Sequence, residues 1–373
     1  MTAKTLNVGL VGFGFIGKVH AYGYLNMPLY YDPPPVRTKL FGVCTAHEET
    51  AQAAADKFGF EVATTDCREL IDHPGVDIVN VCTPNGAHKD QLLRAIANNK
   101  HIYCDKPLTA TAGEAREVVA AMKAYTGTHQ MTLHNRFFPA TLKAKALADA
   151  GFLGDVRSFR AVYLHAGSAD PDAPLKWKLS KEAAGGGSLV DLGAHVIDLV
   201  RHLVGEFAEL NCATQIAFPD RPSLDDPKKR VPVEAEDAAC VLVRTASGAL
   251  GSIEASKIAT GTEDELRFEI HGTKGAMRFD LMQPNWLEVY DVCDADAGWK
   301  KIATVQRYPG PGGFMTPKAS IGWIRAHVAC LHNFLAAVAD GRPAEPGFET
   351  GARVQEIIDA AYRSAETRTW VSV

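Results

Sequence analysis

The stretch Val8–Gly17, V-G-L-V-G-F-G-F-I-G, constrains the fold more than any other in this 373-residue chain. An apolar run of strand length meets Gly12, Gly14 and Gly17, and helix-forming sequence follows. That is the G-x-G-x-x-G spacing in the strand–turn–helix context a dinucleotide-binding turn requires. Each glycine answers a steric demand. Gly12 admits the tight turn, Gly14 lets backbone approach a pyrophosphate with no Cβ in the way, and Gly17 lets the helix sit close on the sheet. The N–H groups at the helix start, with Phe15 and Ile16 in its first turn, then face the anion, and the helix dipole favours it. With 32 glycines in the chain the spacing alone matches easily by chance; the flanking strand and helix give it its weight.

A chain this long exceeds one ordinary core and predicts two domains. Apolar residues at 46% and charged residues at 22% fit a globular protein, and a net charge of −5 gives no electrostatic case for nucleic acid or an anionic membrane. Lys228, Lys229 and Arg230 stand among Asp and Pro and read as a solvated turn. The eight cysteines form no C-x-x-C pair. They lie in apolar strands (Cys44, Cys82, Cys240) or singly, which predicts reduced, buried thiols in a cytoplasmic protein and no disulfide or zinc framework. The run Leu6–Ile16 is not read as a secretory leader, because its glycines keep the dinucleotide spacing, only Lys4 precedes it and no small-residue cleavage site follows. No run reaches transmembrane length.

The first third alternates strand and helix signals. Strands are expected over 8–11, 39–44, 76–82, 100–104 and 128–135, and helices over 18–25, 48–58, 67–72, 88–98 and 112–125. Residues 26–37, with Met-Pro and Pro33-Pro34-Pro35, are expected to be loop. This rhythm predicts an α/β domain over 1–135: a doubly wound parallel sheet with right-handed crossovers, binding its ligand at the carboxyl ends of the strands. After residue 135 the strands lengthen and alternate, over 156–165, 209–217, 236–245, 249–256, 265–271, 275–280 and 286–291. Residues 136–373 are therefore expected to form an α+β domain, with a mostly antiparallel sheet covered on one face by helices. The last of these helices are expected over 322–340 and 349–367.

Three strand ends carry candidate chemistry. They are Thr83-Pro84-Asn85-Gly-Ala-His88, Cys104-Asp105-Lys106-Pro107, and, in the second domain, Gly185-Gly-Gly-Ser188-Leu-Val-Asp191-Leu-Gly-Ala-His195. Over Ser188–Val204 the apolar positions follow a helical period, which sets Asp191, His195, Asp198 and His202 along one face. A histidine suits the removal of a hydroxyl proton near neutral pH, and a lysine suits a developing alkoxide. Ser188-x-x-Asp191 also reads as a capping box, in which Asp191 would cap the helix. Four residues at this spacing give no metal site on this reading.

In this order, after a dinucleotide turn, these motifs resemble the glucose–fructose oxidoreductase / inositol dehydrogenase (Gfo/Idh/MocA) family over essentially the whole chain. The ending Glu345-Pro-Gly-Phe348 through Ser364 to Trp370 is similar too. Pro174–Lys178 is most similar to the corresponding stretch of levoglucosan dehydrogenase-like sugar dehydrogenases. The resemblance implies an N-terminal Rossmann domain and a catalytic Lys106, Asp191 and His195, with Asp105 where the family carries glutamate. It implies that Thr83, Pro84, Asn85, His88, Lys106 and Arg136 border the cofactor together with the glycine turn. It places Asn135 beside the nicotinamide and Trp177 where an aromatic ring stacks on a sugar. It also implies a homodimer or homotetramer packed through the open face of the second sheet.

After the second strand, Thr45 stands where many relatives carry the aspartate that selects NAD, and no arginine is placed to clamp a 2′-phosphate. The residues leave NAD and NADP open, and the resemblance implies NAD. The expected reaction is hydride transfer from a ring hydroxyl of a sugar, anhydrosugar or cyclic polyol. The competing readings are a redox glycosidase that keeps NAD bound, and a non-catalytic sugar or cofactor sensor. The three candidate catalytic residues argue against the sensor. Substrate choice is expected to lie with the loops Gly167–Lys181 and Tyr308–Ile321.

Overall fold

The structure is a computed structural model that describes residues 5–305 and 322–373. Its elements run β1 (Thr5–Val11), α1 (Phe15–Tyr30), β2 (Arg37–Cys44), α2 (Glu48–Phe58), β3 (Val62–Thr64), α3 (Cys67–Asp72), β4 (Ile78–Val81), α4 (His88–Ala97), β5 (His101–Cys104), α5 (Ala112–Ala121) and β6 (His129–Met131). They continue with α6 (Pro139–Asp149), β7 (Val156–Leu164), α7 (Lys181–Ala184), α8 (Ala194–Val204), β8 (Phe207–Gln215), β9 (Asp220–Pro222), β10 (Arg230–Pro232), β11 (Ala238–Thr245), β12 (Leu250–Ser256), β13 (Glu265–Gly272), β14 (Gly275–Asp280), β15 (Trp286–Asp291) and β16 (Lys300–Ala303). The chain closes with α9 (Ile324–Asp340), α10 (Phe348–Thr367) and β17 (Val371–Ser372). Contacts divide it into two units, residues 1–137 with 309–353, and residues 138–308 with 354–373. This grouping sets α9 with the first unit, whereas the sequence reading ends that domain at residue 135.

The first unit holds a six-stranded parallel sheet in the order β3-β2-β1-β4-β5-β6. The order reverses between β1 and β4, which is where a doubly wound sheet opens a crevice for a ligand. Fully buried Val8, Leu10, Val79, Val81 and Ile102 need cover on both sheet faces, and helices supply it. Residues 26–30 correct the expected loop: α1 continues through Pro28 to Tyr30. Pro28 removes one intrahelical hydrogen bond, but Tyr24, Met27, Tyr30 and Tyr31 bury in one cluster with Val328, Leu331 and Leu335 of α9. Packing of that face outweighs the local breaker. The short strand β3, unforeseen, pairs at the edge beside β2.

The second unit is built on a nine-stranded sheet, β16-β15-β14-β13-β7-β12-β11-β8-β17, antiparallel except where β12 pairs with β7. Alternation is clean: Phe159, Ala161 and Tyr163 of β7, and Leu266, Phe268 and Ile270 of β13, point into the core. The opposite face carries exposed Leu242, Leu250 and Trp286. Cys240 lies on that face and is exposed, as is Cys293 on the turn after β15, so these two depart from the expected burial; all eight cysteines are free thiols. Lys228 and Lys229 sit in the solvated turn between β9 and β10, and Arg230 opens β10 and pairs with Asp220. No helix among the described residues is long and apolar enough to cross a membrane.

Candidate functional site

In the first unit the candidate residues gather at the carboxyl edge of the sheet because the chain hands hydrogen bonds from strand end to strand end. Gly12 N–H donates to Cys44 O at 2.9 Å, Cys82 N–H to Val11 O at 2.8 Å, Asp105 N–H to Val81 O at 2.9 Å, and Thr132 N–H to Cys104 O at 2.8 Å. These bonds set the glycine turn, the Thr83–Asn85 turn, Lys106 and the turn at Asn135 on one rim. The glycines do different work. Gly12 has φ +97°, and a Cβ there would stand 2.5 Å from Cys82 O; at Gly17 it would stand 2.3 Å from Gly12 O. Both are demanded by the protein's own backbone. At Gly14 nothing lies within 4 Å of the Cβ position, so there the absence of a side chain keeps a cradle clear at the start of α1. That helix has no side-chain cap and no acid in its first turn. Its leading N–H groups fit a dinucleotide pyrophosphate, and the Phe15 side chain beside them is exposed.

Thr45 directs its hydroxyl to His47 O at 2.8 Å and lies 2.6 Å from the Thr50 hydroxyl, closing the turn into α2. Thr83 is half-buried, Pro84 exposed and Asn85 buried. His88 is fully buried, with Nε2 2.9 Å from Thr83 O and Nδ1 3.0 Å from Pro107 O. It therefore ties the turn after β4 to the turn carrying Lys106, and both ring nitrogens face protein carbonyls rather than a ligand. Lys106 is half-buried, Asn135 buried and Arg136 half-buried.

Beside this rim lies a ring cluster the sequence reading missed. His134 stacks on His327 at 3.8 Å, Trp323 lies 4.1 Å from His327 and 6.1 Å from Phe15, and His20 lies 5.0 Å from Tyr103. His20 Nδ1 stands 3.0 Å from the Asn80 amide and 3.2 Å from Cys82 Sγ. Burial lowers its pKa to about 4, against the opposing pull of Asp105 and the Asn80 hydrogen bond. Burial also pushes His327 well down, with His134 and His20 adding to the effect. Both rings are thus held neutral.

In the second unit the glycine run Gly185–Gly187 leads into a wide turn, Leu189–Gly193, wound with π geometry, before α8 begins. The capping box does not form, since the Ser188 side chain makes no cap bond. Buried Glu236 takes that role: its carboxylate accepts from Gly187 N–H at 3.0 Å, Leu189 N–H at 2.8 Å and the Tyr362 hydroxyl at 3.0 Å. A Cβ on Gly187 would meet Glu236 O at 1.9 Å, and one on Gly186 would meet the Tyr362 hydroxyl at 2.0 Å. The glycines are there so that two elements can touch.

Freed from capping, Asp191 is held by lysines. Lys178 Nζ donates to its two oxygens at 3.0 and 3.2 Å, and Lys257 Nζ lies 3.4 Å from Oδ2. His195 is buried, with the Tyr163 ring edge-on at 5.8 Å. Tyr163 donates to Asp264 Oδ1 at 2.8 Å, and His165 Nε2 lies 2.8 Å from the same oxygen. Burial first, then the Asp264 charge, raises the Tyr163 phenol well above its ordinary value, so it stays a neutral donor. Trp177 is 39% exposed, with Lys178 Nζ 5.8 Å from its ring centroid. Asp198 is buried in α8 and His202 half-buried. The Gly167–Lys181 loop is anchored by Arg221, fully buried, which donates to Asp170 O and Ser168 O at 2.7 Å and pairs with Asp237. The Tyr308–Ile321 loop lies outside the described residues. Among the described residues no cluster could hold a metal ion.

Lys257, Tyr163, His165, Asp264, Glu236 and Arg221 were not found from sequence. One signal was available for Lys257, which directly follows a strand, much as Lys106 stands two residues past one.

Known proteins share this architecture. Residues 6–132 match the model of the oxidoreductase family's NAD-binding Rossmann fold, and residues 145–373 match that family's C-terminal alpha/beta domain. Levoglucosan dehydrogenase of Pseudarthrobacter phenanthrenivorans is 36% identical, the alignment covering 99% of this chain and 98% of that protein. Inositol 2-dehydrogenase of Rhizobium meliloti is 28% identical, covering 99% of each. A solved structure of levoglucosan dehydrogenase with NADH and L-sorbose superposes with a TM-score of 0.95 at 37% identity, covering 99% of each chain. The chain belongs to the Gfo/Idh/MocA oxidoreductase family, its N-terminal part being that family's NAD-binding Rossmann domain.

Proposed function

We propose that the protein oxidises a ring secondary hydroxyl of a sugar, anhydrosugar or cyclic polyol. The observation that carries this reading is Asp191, a carboxylate held between two ammonium groups one helical turn before the buried imidazole of His195. The likeness to levoglucosan dehydrogenase, also solved with NADH and levoglucosan, supports a pyranose or anhydrosugar over an open-chain substrate.

NAD, when bound, supplies the hydride acceptor. His195 removes the hydroxyl proton at a ring nitrogen. Lys106 donates a hydrogen bond to the same oxygen and stabilises the charge that grows on it. Asp191 orients the imidazole or the substrate. Trp177 stacks on an apolar C–H face of the sugar. Asn135 contacts the substrate, and Thr83, Pro84, Asn85 and Arg136 border the nicotinamide half. The protein works in the cytoplasm, a placement its eight free thiols support. It assembles as a dimer or tetramer through the sheet face that presents Leu242, Leu250 and Trp286.

A panel of pyranoses, anhydrosugars and inositols, read by reduced-cofactor absorbance, tests the function. His195→Ala and Lys106→Ala should each lower kcat by about 10²–10⁴-fold on the best substrate. Near wild-type turnover in both variants would overturn the assignment. Release of an aglycone from glycosides without net cofactor reduction would replace it with a redox glycosidase.

A further inference from the structure

We propose that Lys257 is a positioning residue of the substrate unit, a buried ammonium that fixes the Asp191 carboxylate and ties it to the Trp177–Lys178 segment. The proposal rests on the dehydrogenase reading above.

The two lysines at Asp191 are not equivalent. Lys178 has a side chain 51% exposed, so water shares its charge; the Lys257 side chain is 7% exposed. A surface ion pair is screened and adds little, whereas a buried ammonium must be paired, and breaking its pair strands a charge. The conformation of Asp191 is therefore set mainly from the Lys257 side. Lys257 is itself immobilised at every polar group. Its backbone N–H donates to Asp237 O at 2.9 Å, its carbonyl accepts from Ser168 N–H at 2.9 Å, and Nζ donates to Lys178 O at 3.2 Å as well as facing Asp191. The contact with Lys178 O reaches the turn Trp177–Leu179, whose backbone carries the Trp177 ring. One cation thus sets both a polar acceptor and an aromatic wall.

Lys178 from that turn and Lys257 from the end of β12 pair with Asp191, and the Asp191 charge adds to the rise of the Tyr163 phenol on β7. Tyr163 stays neutral. Asp191 is then kept as a fixed carboxylate, able to accept a hydrogen bond from imidazole or substrate but not to drift toward solvent. Removing Lys257 deprives it of a cation better shielded than Lys178.

The experiment compares Lys257→Met, Lys257→Arg and Asp191→Asn in the full chain with NAD and the best sugar from the panel. Lys257→Met should lower kcat about 10–100-fold, the scale seen when an outer partner of a reactive group is lost, while KM for NAD stays unchanged. Lys257→Arg should recover most of the lost kcat. The double variant Lys257→Met/Asp191→Asn should be no worse than Asp191→Asn alone. A wild-type kcat in Lys257→Met, or single effects that simply multiply in the double variant, would overturn the proposal. If Lys257→Met does not fold, Lys257→Gln, which keeps a donor for Lys178 O without the charge, carries the same comparison. If the wild type reduces NAD with no sugar or polyol, the dehydrogenase reading fails instead. The coupling is then read from the same cycle by denaturation, where additive effects would dismiss Lys257 as a partner of Asp191.

Discussion

The two halves of this molecule encode function differently. In the first unit the candidate site is mostly backbone: turn N–H groups, a helix start, and carbonyls handed between neighbouring strand ends. Its titratable neighbours, His20 and His327, are buried and neutral. In the second unit the site is side-chain charge. Asp191 sits between two lysines, Asp264 between a phenol and an imidazole, and the whole rests on Glu236 and Arg221 buried beneath. A site made of backbone is announced by turn and strand signals that are each local. A site made of paired charges can be assembled from anywhere in the fold.

The largest expected effect that separates the halves is acid sensitivity. His20 has an ordinary pKa of 6.5 in the unfolded chain and about 4 in the folded one. Between those values the unfolded chain binds a proton that the native state refuses, so stability is full above about pH 6.5 and falls as pH drops toward 4. Over that window His20 alone removes about 3 kcal/mol, and His327 acts in the same direction. Denaturation midpoints measured between pH 7 and 4 should show this slope, and His20→Asn should flatten it by one proton. An unchanged slope in the variant would show that His20 is not a source of the acid sensitivity.

A smaller effect tests the backbone-built half directly. Gly17→Ala would put a methyl 2.3 Å from Gly12 O, and backbone on both sides leaves it little room. The expected loss is about 1–3 kcal/mol, as for other overpacked sites, together with NADH binding weakened at least about tenfold as the turn opens. Gly14→Ala meets no protein atom within 4 Å, so it should leave stability nearly unchanged while still weakening NADH. Calorimetry and NADH fluorescence separate the two outcomes. Equal stability losses would mean that the turn, and not the ligand, requires Gly14.

This contrast also explains what was legible. The glycine turn, α2 over Glu48–Phe58 with its stop at Gly59, α3, and the βαβ order of the first sheet all follow from local period and spacing. Asp191 and His195 could be singled out as candidates by the helical period together with the family resemblance. Their environment could not, since Lys257 lies far along the chain from Asp191 and Asp264 far from Tyr163, and nothing in a local pattern pairs them. The same limit shows at two local points. Pro28 reads as a helix stop until α9 is seen packing on the far side of α1, and Ser188-x-x-Asp191 reads as a capping box until Glu236 is seen in that place.

The smallest prediction sharpens the comparison inside the second unit. Lys178 makes the shorter contacts with Asp191, at 3.0 and 3.2 Å against 3.4 Å for Lys257. Distance alone would rank it as the stronger partner. Exposure reverses that ranking, because an ammonium half in water gives up little when its partner is removed. Lys178→Met should therefore change stability by less than about 1 kcal/mol, and raising the salt concentration should erase most of that difference. Lys257→Met should cost more and respond little to salt. If denaturation at low and high salt finds the two lysines equal, burial does not decide which cation holds Asp191, and the charge-built half is held from its surface.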